Sequence, residues 1–426
     1  MQSWIKSANK ADCAFPVQNL PFGVFSREPD GQEPVCGVAI GDMILDLAVL
    51  ERADLIDFGG ETVFDLPFLN GFMEQGVAAW DALRHYLTEI LRLDGDTRLS
   101  ADMELQKTAL FPLADATLFM PFLVAEYTDF YASKHHATNV GTLFRGAENA
   151  LPANWLHMPV GYNGRGSSVV VSGTDIHRPR GQIKPPDAET PHFGPSNQMD
   201  FELEIGAVVG VPTEMGQPIT TAQADAMIFG YVLLNDWSSR DIQAWEYQPL
   251  GPFQGKAFGT SISPWVVPKA ALDQFRCKAP KPDKPLLPYL IEQKPGLYDI
   301  TLEATIQPKG AAKPTTICRT NYNRMYYSSA QQLTHHASSG CPMNCGDLLG
   351  SGTISGPTPA EQGCLLEKTD AGKTPFTLDT GETRRFIEDN DRITLTGWAQ
   401  GDGYRIGFGE CTGRILPPLP EPDWKN

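Results

Sequence analysis

Cysteine is scarce, with eight in 426 residues, at positions 13, 36, 277, 318, 341, 345, 364 and 411. That density excludes a disulfide-built scaffold, and reduced, mostly buried thiols are expected. Cys341 and Cys345 in CPMNC have a zinc-like spacing, but no second pair or ligand His follows to complete a finger. Long apolar runs are missing as well. No stretch approaches the roughly 18 residues of a membrane span, and the opening MQSWIKSANKADCAF has no apolar core of the secretory kind. There is no run of Lys and Arg, and 34 Lys+Arg against 51 Asp+Glu leave a net charge of −17. Such a body repels nucleic acid and anionic membranes. No Asn-x-Ser/Thr sequon, phosphate-loop GxxxxGK[ST] or G-x-S-x-G elbow occurs, which argues against nucleotide chemistry and the serine-elbow hydrolase route. A cytoplasmic protein with no nucleic-acid or membrane partner is expected.

What is plentiful is proline (35) and glycine (40), spread between short strand-like runs. This composition predicts a mostly β chain with many loops. Helical spacing appears over 79–92, 220–229 (with Thr as N-cap) and 328–337. Strand patterns cover 167–173, 201–211, 229–236, 298–307 and 391–400, and 35–50 reads as a hairpin turning at Gly41-Asp42. A polar stretch followed by two prolines within 108–122 divides the chain into domains 1–118 and 119–426. Residues 276–296, with Pro and Lys at intervals, read as a long surface excursion. The ending LPPLPEPDWKN reads as a loose tail.

Three stretches hold groups suited to chemistry. In MDFELEIG, Glu202 and Glu204 lie at i and i+2, so a strand puts both carboxylates on one face about 7 Å apart. Two answers are open: a cation between them, or a solvated polar face on a half-exposed strand. In LLNDWSSRDIQAWEYQPLGPFQGKAFGTS, an apolar strand ends at Asp236. One helical face would then align Arg240, Gln243 and Tyr247 ahead of a glycine-spaced loop with Lys256 and Thr260. The third, 126–168, gathers Asp129, Tyr131, His136, Arg145 and Tyr162. Phenols and Arg suit carboxylate binding, and His suits general-base work near neutral pH. The second also reads as an ordinary loop with solvated charges; a lone His in the third is more often structural, and the neighbouring His135 shows how little one His says alone.

Taken together, TDFYASKHHATNVGTLFRG, NWLHMPVGYNGRGSSVVVSGT, MDFELEIG, LLNDWSSRDIQAWEYQPLGPFQGKAFGTSISPWVVP, QQLTHH, LLGSGTISGP and GDGYRIGFGEC resemble the fumarylacetoacetate hydrolase family over nearly all of 120–420. The resemblance implies a small SH3-like β-barrel amino-terminal domain, a larger β-roll catalytic domain and a homodimer. It implies hydrolysis of a carbon–carbon bond in a dicarboxylate diketo substrate, 4-fumarylacetoacetate, the last step of tyrosine and phenylalanine breakdown. It also implies Ca²⁺ or Mg²⁺ on Asp129, Glu202, Glu204 and Asp236, with Asp236, Lys256 and Thr260 as secondary Mg²⁺ contacts. His136 matches the general base, with Glu367 as its orienting carboxylate. Arg240, Gln243 and Lys256 match the oxyanion-stabilising groups, and Tyr131, Arg145, Tyr162, Gln243, Tyr247 and Thr353 the substrate-binding set. The chain departs from the family pattern at Glu126, where Asp is expected, and at His135, where Gln is usual. Metal-dependent decarboxylases, hydratases and acylpyruvate hydrolases of the wider superfamily share the carboxylates, but resemble this chain less in length and in the His-bearing loop.

Overall fold

Alternating apolar residues and tight turns build the amino-terminal sheet of the computed structural model, which describes residues 1–27 and 33–423. The strands Phe22–Ser26, Val35–Ile40 and Met43–Asp46 pair antiparallel in succession. Gly41, at φ +63°, supplies the left-handed turn between the last two. The hairpin expected over 35–50 ends early. The Asp46 carboxylate accepts the Val49 N–H and caps a helix over Leu47–Arg52, so this apolar run is helical. Leu110–Pro112 and Thr117–Leu118 form the outer strands. Residues 113–116 alone join these edges and reach at most ~18 Å, while five flat strands would hold them ~19 Å apart. A 3-10 turn at Leu113–Asp115 shortens the link further, so the sheet curls. The helix expected at 79–92 runs from Val77 to Leu91 and buries Trp80, Leu83, Leu87 and Ile90 on one face.

The rest of the chain is organised by two sheets. The strand Ile228–Asp236 is buried along its whole length and lies near the middle of an eight-stranded mixed sheet. Its neighbours are Leu203–Val209 and Thr260–Ile262; Leu348–Gly350, Tyr127–Phe130 and Gly161–Asn163 continue the sheet on the Leu203–Val209 side. A strand apolar on both faces needs cover on both. Val232 and Leu234 pack with Phe22, Val24, Phe72 and Trp80 of the amino-terminal region. Tyr231 and Leu233 face the other way, into a core shared with Leu302, Ile393, Leu395 and Ile406 of a five-stranded sheet. The polar ends of the central strands are left at the edge of this three-layer packing.

The helices expected at 220–229 and 328–337 run over Thr221–Met227 and Ser329–Ala337, each with a capping box, from Thr220 and Ser328. The excursion 276–296 is closed at its base by pairing of Arg276–Cys277 with Leu297–Tyr298. Residues 424–426 of the tail lie outside the described residues. All eight cysteines are free thiols, five of them buried. Among the described residues, no helix is long and apolar enough to cross a membrane.

Candidate active site

Strand register collects the acidic groups. Asp236 stands opposite Thr260, Asn235 opposite Leu203, Gly350 opposite both Gly206 and Asp129, and Asp129 opposite Tyr162. Phe201, Leu203 and Ile205 point into the core. Glu202 and Glu204 therefore share the other face, and both are buried. This overturns the alternative of a solvated polar face. Glycine at 350 keeps the nest open, because a Cβ there would stand 2.9 Å from Glu204 Oε2 and 3.2 Å from Asp129 Oδ1.

Oxygens of Asp129, Glu202, Glu204 and Asp236 lie within 4.8 Å of one another. Two cations answer part of this charge. Lys256 Nζ is 2.7 Å from Glu202 Oε2 and 2.9 Å from Asp236 Oδ2, and Arg240 Nη1 donates to Glu202 Oε1 at 2.6 Å. The Thr260 hydroxyl donates to Asp236 Oδ1 at 2.8 Å, and the Tyr162 phenol to Asp236 Oδ2 at 3.3 Å. Burial alone would raise Glu202, but Lys256 and Arg240 pull it well below the usual carboxylate range. Asp129 and Glu204 are pushed far above that range, first by burial and then by each one's carboxylate neighbours. Asp129 Oδ1 and Glu204 Oε1 are buried without a hydrogen-bond partner. An all-oxygen donor set with two unanswered oxygens fits a hard divalent cation such as Ca²⁺ or Mg²⁺.

Beside the nest stands a satisfied pair. The helix Lys134–Arg145 begins at Ser133, whose hydroxyl accepts the His136 N–H. His136 Nδ1 meets Glu367 Oε1 at 2.5 Å. Ser355 Oγ donates to the same oxygen at 2.7 Å, and Asn139 Nδ2 donates to Glu367 Oε2 at 2.7 Å. Burial opposes the Glu367 charge, yet His136 and these donors hold its carboxyl below the usual range. With Nδ1 occupied, Nε2 is the His136 nitrogen left for other work.

The helix Arg240–Glu246 aligns Arg240 with Gln243, whose Oε1 accepts from Arg240 Nη1 at 3.3 Å, and ends at Tyr247. Asp200, fully buried, fixes this arginine. Its Oδ2 accepts from Arg240 Nε at 2.9 Å and from the Leu366 N–H at 2.8 Å, while Oδ1 accepts the Leu365 N–H at 2.7 Å. One carboxylate thus ties Arg240 to the Leu365–Lys368 turn that carries Glu367. Arg240 Nη2 is buried with no partner.

These groups surround a cavity of about 510 Å³. Residues 126–416 match the family described as fumarylacetoacetate (FAA) hydrolase, C-terminal, and residues 18–121 match fumarylacetoacetase, N-terminal. The chain belongs to the fumarylacetoacetate hydrolase family. It is 51% identical to the fumarylacetoacetase of Bos taurus over 96% of this chain and 97% of that one. It is 50% identical to that of Homo sapiens over 98% and 99%. A solved fumarylacetoacetate hydrolase from psychrophilic Exiguobacterium antarcticum shares the fold at 16% identity and a TM-score of 0.51, over 93% of this chain and 99% of that one.

Of the fifteen site residues that the family resemblance implies, eleven line this cavity and four stand behind its wall. Asp129, Glu202, Lys256, His136, Arg240 and Gln243 line it, as do Tyr131, Arg145, Tyr162, Tyr247 and Thr353. Glu204, Asp236 and Thr260 stand behind in the nest, and Glu367 behind His136. The Tyr131 ring meets the His136 ring edge-on at 5.3 Å between centroids. The Thr353 hydroxyl is buried and unpartnered. Arg145 is exposed at the rim, its guanidinium donating to the carbonyls of Asn149 and Ala150. His135 does not line the cavity; half-buried, its pKa is lowered by burial first and next by Arg324.

Asp200, Asn139 and Ser355 escaped the sequence reading. Asp200 had a signal, since it extends the i, i+2 alternation of Glu202 and Glu204 backwards by one step. Asn139 lies three residues beyond His136, on the same face of a helix that the polar KHHATNVGTLFR does not advertise. Ser355 carries no local mark.

Proposed function

We propose that the chain catalyses hydrolysis of 4-fumarylacetoacetate to fumarate and acetoacetate, the reaction of a fumarylacetoacetase. Identity of about half the sequence to fumarylacetoacetases over nearly the whole chain supports this reading. The observation that carries the chemistry is the His136–Glu367 pair on the wall of a cavity that also presents Arg240, Gln243 and Lys256. Asp129, Glu202, Glu204 and Asp236 would hold Ca²⁺ or Mg²⁺, with Lys256 and Thr260 in secondary contact through Asp236. When bound, the ion supplies Lewis-acid stabilisation of the charge on the departing acetoacetate.

The chain's own groups do the rest. Glu367 holds the Nδ1 proton of His136, leaving Nε2 to take a proton from water as its oxygen adds to the carbonyl carbon. The spare donors face the resulting oxyanion: Arg240 Nη2, the Gln243 amide and the Lys256 ammonium hydrogen not used by Glu202 or Asp236. The carbon–carbon bond then breaks, the carbonyl re-forms as the fumarate carboxyl, and the leaving carbon receives a proton. Tyr131, Arg145, Tyr162, Gln243, Tyr247 and Thr353 bind and orient the dianionic substrate. No acyl-enzyme forms, since water is the nucleophile. With this activity we propose the domain division 1–118 and 119–426, which rests on the polar stretch and prolines of 108–122, and an SH3-like amino-terminal barrel, a homodimer and a cytoplasmic location, which rest on the family resemblance.

The test is loss of the substrate's diketone absorbance with both products identified, in the metal-supplied enzyme. His136→Ala is expected to lower kcat by about 10²–10⁴-fold, with His135→Ala close to wild type. Full activity of His136→Ala would remove the base assignment and leave the reaction. Absence of turnover in the metal-loaded wild type would remove the reaction itself.

A further inference from the structure

Cys364 touches the His136–Glu367 pair yet has no part in the hydrolysis proposed above. It is fully buried, and its Sγ lies 3.4 Å from Glu367 Oε1, the oxygen that meets His136 Nδ1 at 2.5 Å. A ring nitrogen of His136, the thiol sulfur and a Glu367 carboxylate oxygen all stand within 4.8 Å of one another. This N, S, O set differs in kind from the all-oxygen nest nearby. Hard cations have no use for the sulfur, whereas zinc and cadmium favour thiolate with imidazole.

We propose that His136, Cys364 and Glu367 form a second metal site, selective for a thiophilic divalent ion such as Zn²⁺ or Cd²⁺, whose occupation switches the enzyme off. Bond lengths of about 2.0–2.3 Å put the ligand atoms of a tetrahedral zinc roughly 3.3–3.8 Å apart. The sulfur–oxygen separation of 3.4 Å already fits. The imidazole–carboxylate separation of 2.5 Å must open by about 1 Å, the distance that replaces a shared proton by an ion. His136 lines the cavity, which gives the ion its approach and a water for its fourth position. Asn139 and Ser355 orient the carboxylate, the support that metal-ligating groups need. Binding releases the thiol proton and shifts the His136 proton from Nδ1 to Nε2, so one thiolate, one carboxylate and a neutral imidazole hold the dication with no net charge, and Nε2 is no longer free as a base. The consequence for turnover rests on the proposed role of His136; the binding itself does not.

The experiment uses the full chain with Mg²⁺ saturating. Zn²⁺ is titrated against turnover, and Cd²⁺ against the ultraviolet thiolate-to-metal absorption, in wild type and Cys364→Ser. Serine keeps the size of the side chain and a hydrogen bond to Glu367, so turnover without zinc is expected to match wild type. Zinc should inhibit wild type, and the half-inhibitory concentration should rise about tenfold or more in Cys364→Ser. The cadmium band of wild type should lose the contribution of one thiolate in that variant. Equal zinc inhibition of both proteins with an unchanged band would overturn the site, placing the ion on the carboxylates or on another cysteine. No inhibition and no band would overturn it as well. A band that depends on Cys364 in a protein with no fumarylacetoacetate turnover would uphold the site and sink the proposed reaction instead.

Discussion

The carboxylate nest and the His136–Glu367 pair are both buried and both acidic, yet the fold treats them in opposite ways. Glu367 has a partner for each oxygen, in His136, Ser355 and Asn139. Its carboxyl is held below the ordinary range despite burial. Asp129 and Glu204 each keep an oxygen with no partner, and burial with like-charge neighbours pushes both upward. Glu367 has its hydrogen bonds met before anything binds. The nest keeps two oxygens open to a cation, because Lys256 and Arg240 are engaged by Glu202 and Asp236. Such a nest is destabilising on its own and becomes stabilising on loading.

The sharpest way to break this contrast is to remove the charge that no protein group answers. Glu204→Gln should lower turnover by more than about a hundredfold. In metal-free buffer it should unfold at higher temperature than wild type. Saturating Ca²⁺ or Mg²⁺, at about 100 times its dissociation constant, should stabilise wild type by ~2.7 kcal/mol and the variant by much less, read as the metal-induced shift in Tm. A wild type indifferent to metal would erase the distinction.

A smaller effect is expected at Asp200, which links the two regions by holding both Arg240 and the turn of Glu367. Asp200→Asn should reduce kcat by roughly 10–100-fold, the usual scale for a group that orients functional ligands, with KM moved far less. A variant that loses stability while keeping kcat would make Asp200 a structural residue only.

The smallest effect sharpens the contrast from outside. Asp347, at the start of the strand Leu348–Gly350, is raised to about 6 by burial, with the Asn344 N–H partly opposing and Glu126 adding to the rise. It belongs to no carboxylate cluster. Its folded pKa exceeds the unfolded value of ~3.9, so the folded state binds the proton more tightly. Its contribution to stability is present in full below about pH 4 and is lost as pH rises through about 6. Asp347→Asn should gain about 1–2 kcal/mol over wild type at pH 7 and little at pH 4, with turnover unchanged. Denaturation against pH checks the sign. A raised carboxyl relieved at no functional cost would separate simple burial from a site that waits for a ligand.

Much of the site was legible in the sequence. Alternation in FELEIG put two carboxylates on one face, and the 3.6-residue period aligned Arg240 with Gln243. What local pattern left open was whether that face met water, since a strand's period is the same in either case. The helix Lys134–Arg145 was hidden by a polar composition and by Gly141. That glycine is needed because a Cβ there would fall 1.8 Å from the Ala150 carbonyl oxygen, where the chain turns back on the helix after its end. The run after Asp46 was misread as strand because a short apolar stretch fits either period, and the Asp46 cap decided it.

By itself the sequence determined a mostly β chain, its principal strands and caps, the i, i+2 carboxylates and the histidine, arginine and phenols that gather at the cavity. These are local properties, set by period and side-chain chemistry. The tertiary structure brought Glu367, which the family resemblance names but no local pattern marks, against His136 231 residues away. It also decided that Asp200 yokes the arginine to that same turn, that Cys364 touches the pair, and that two carboxylate oxygens of the nest are left unanswered. Partnership at such sequence distances is fixed by strand register and by burial on both faces of one sheet, which exclude water and leave each polar group only the neighbours the fold brings to it.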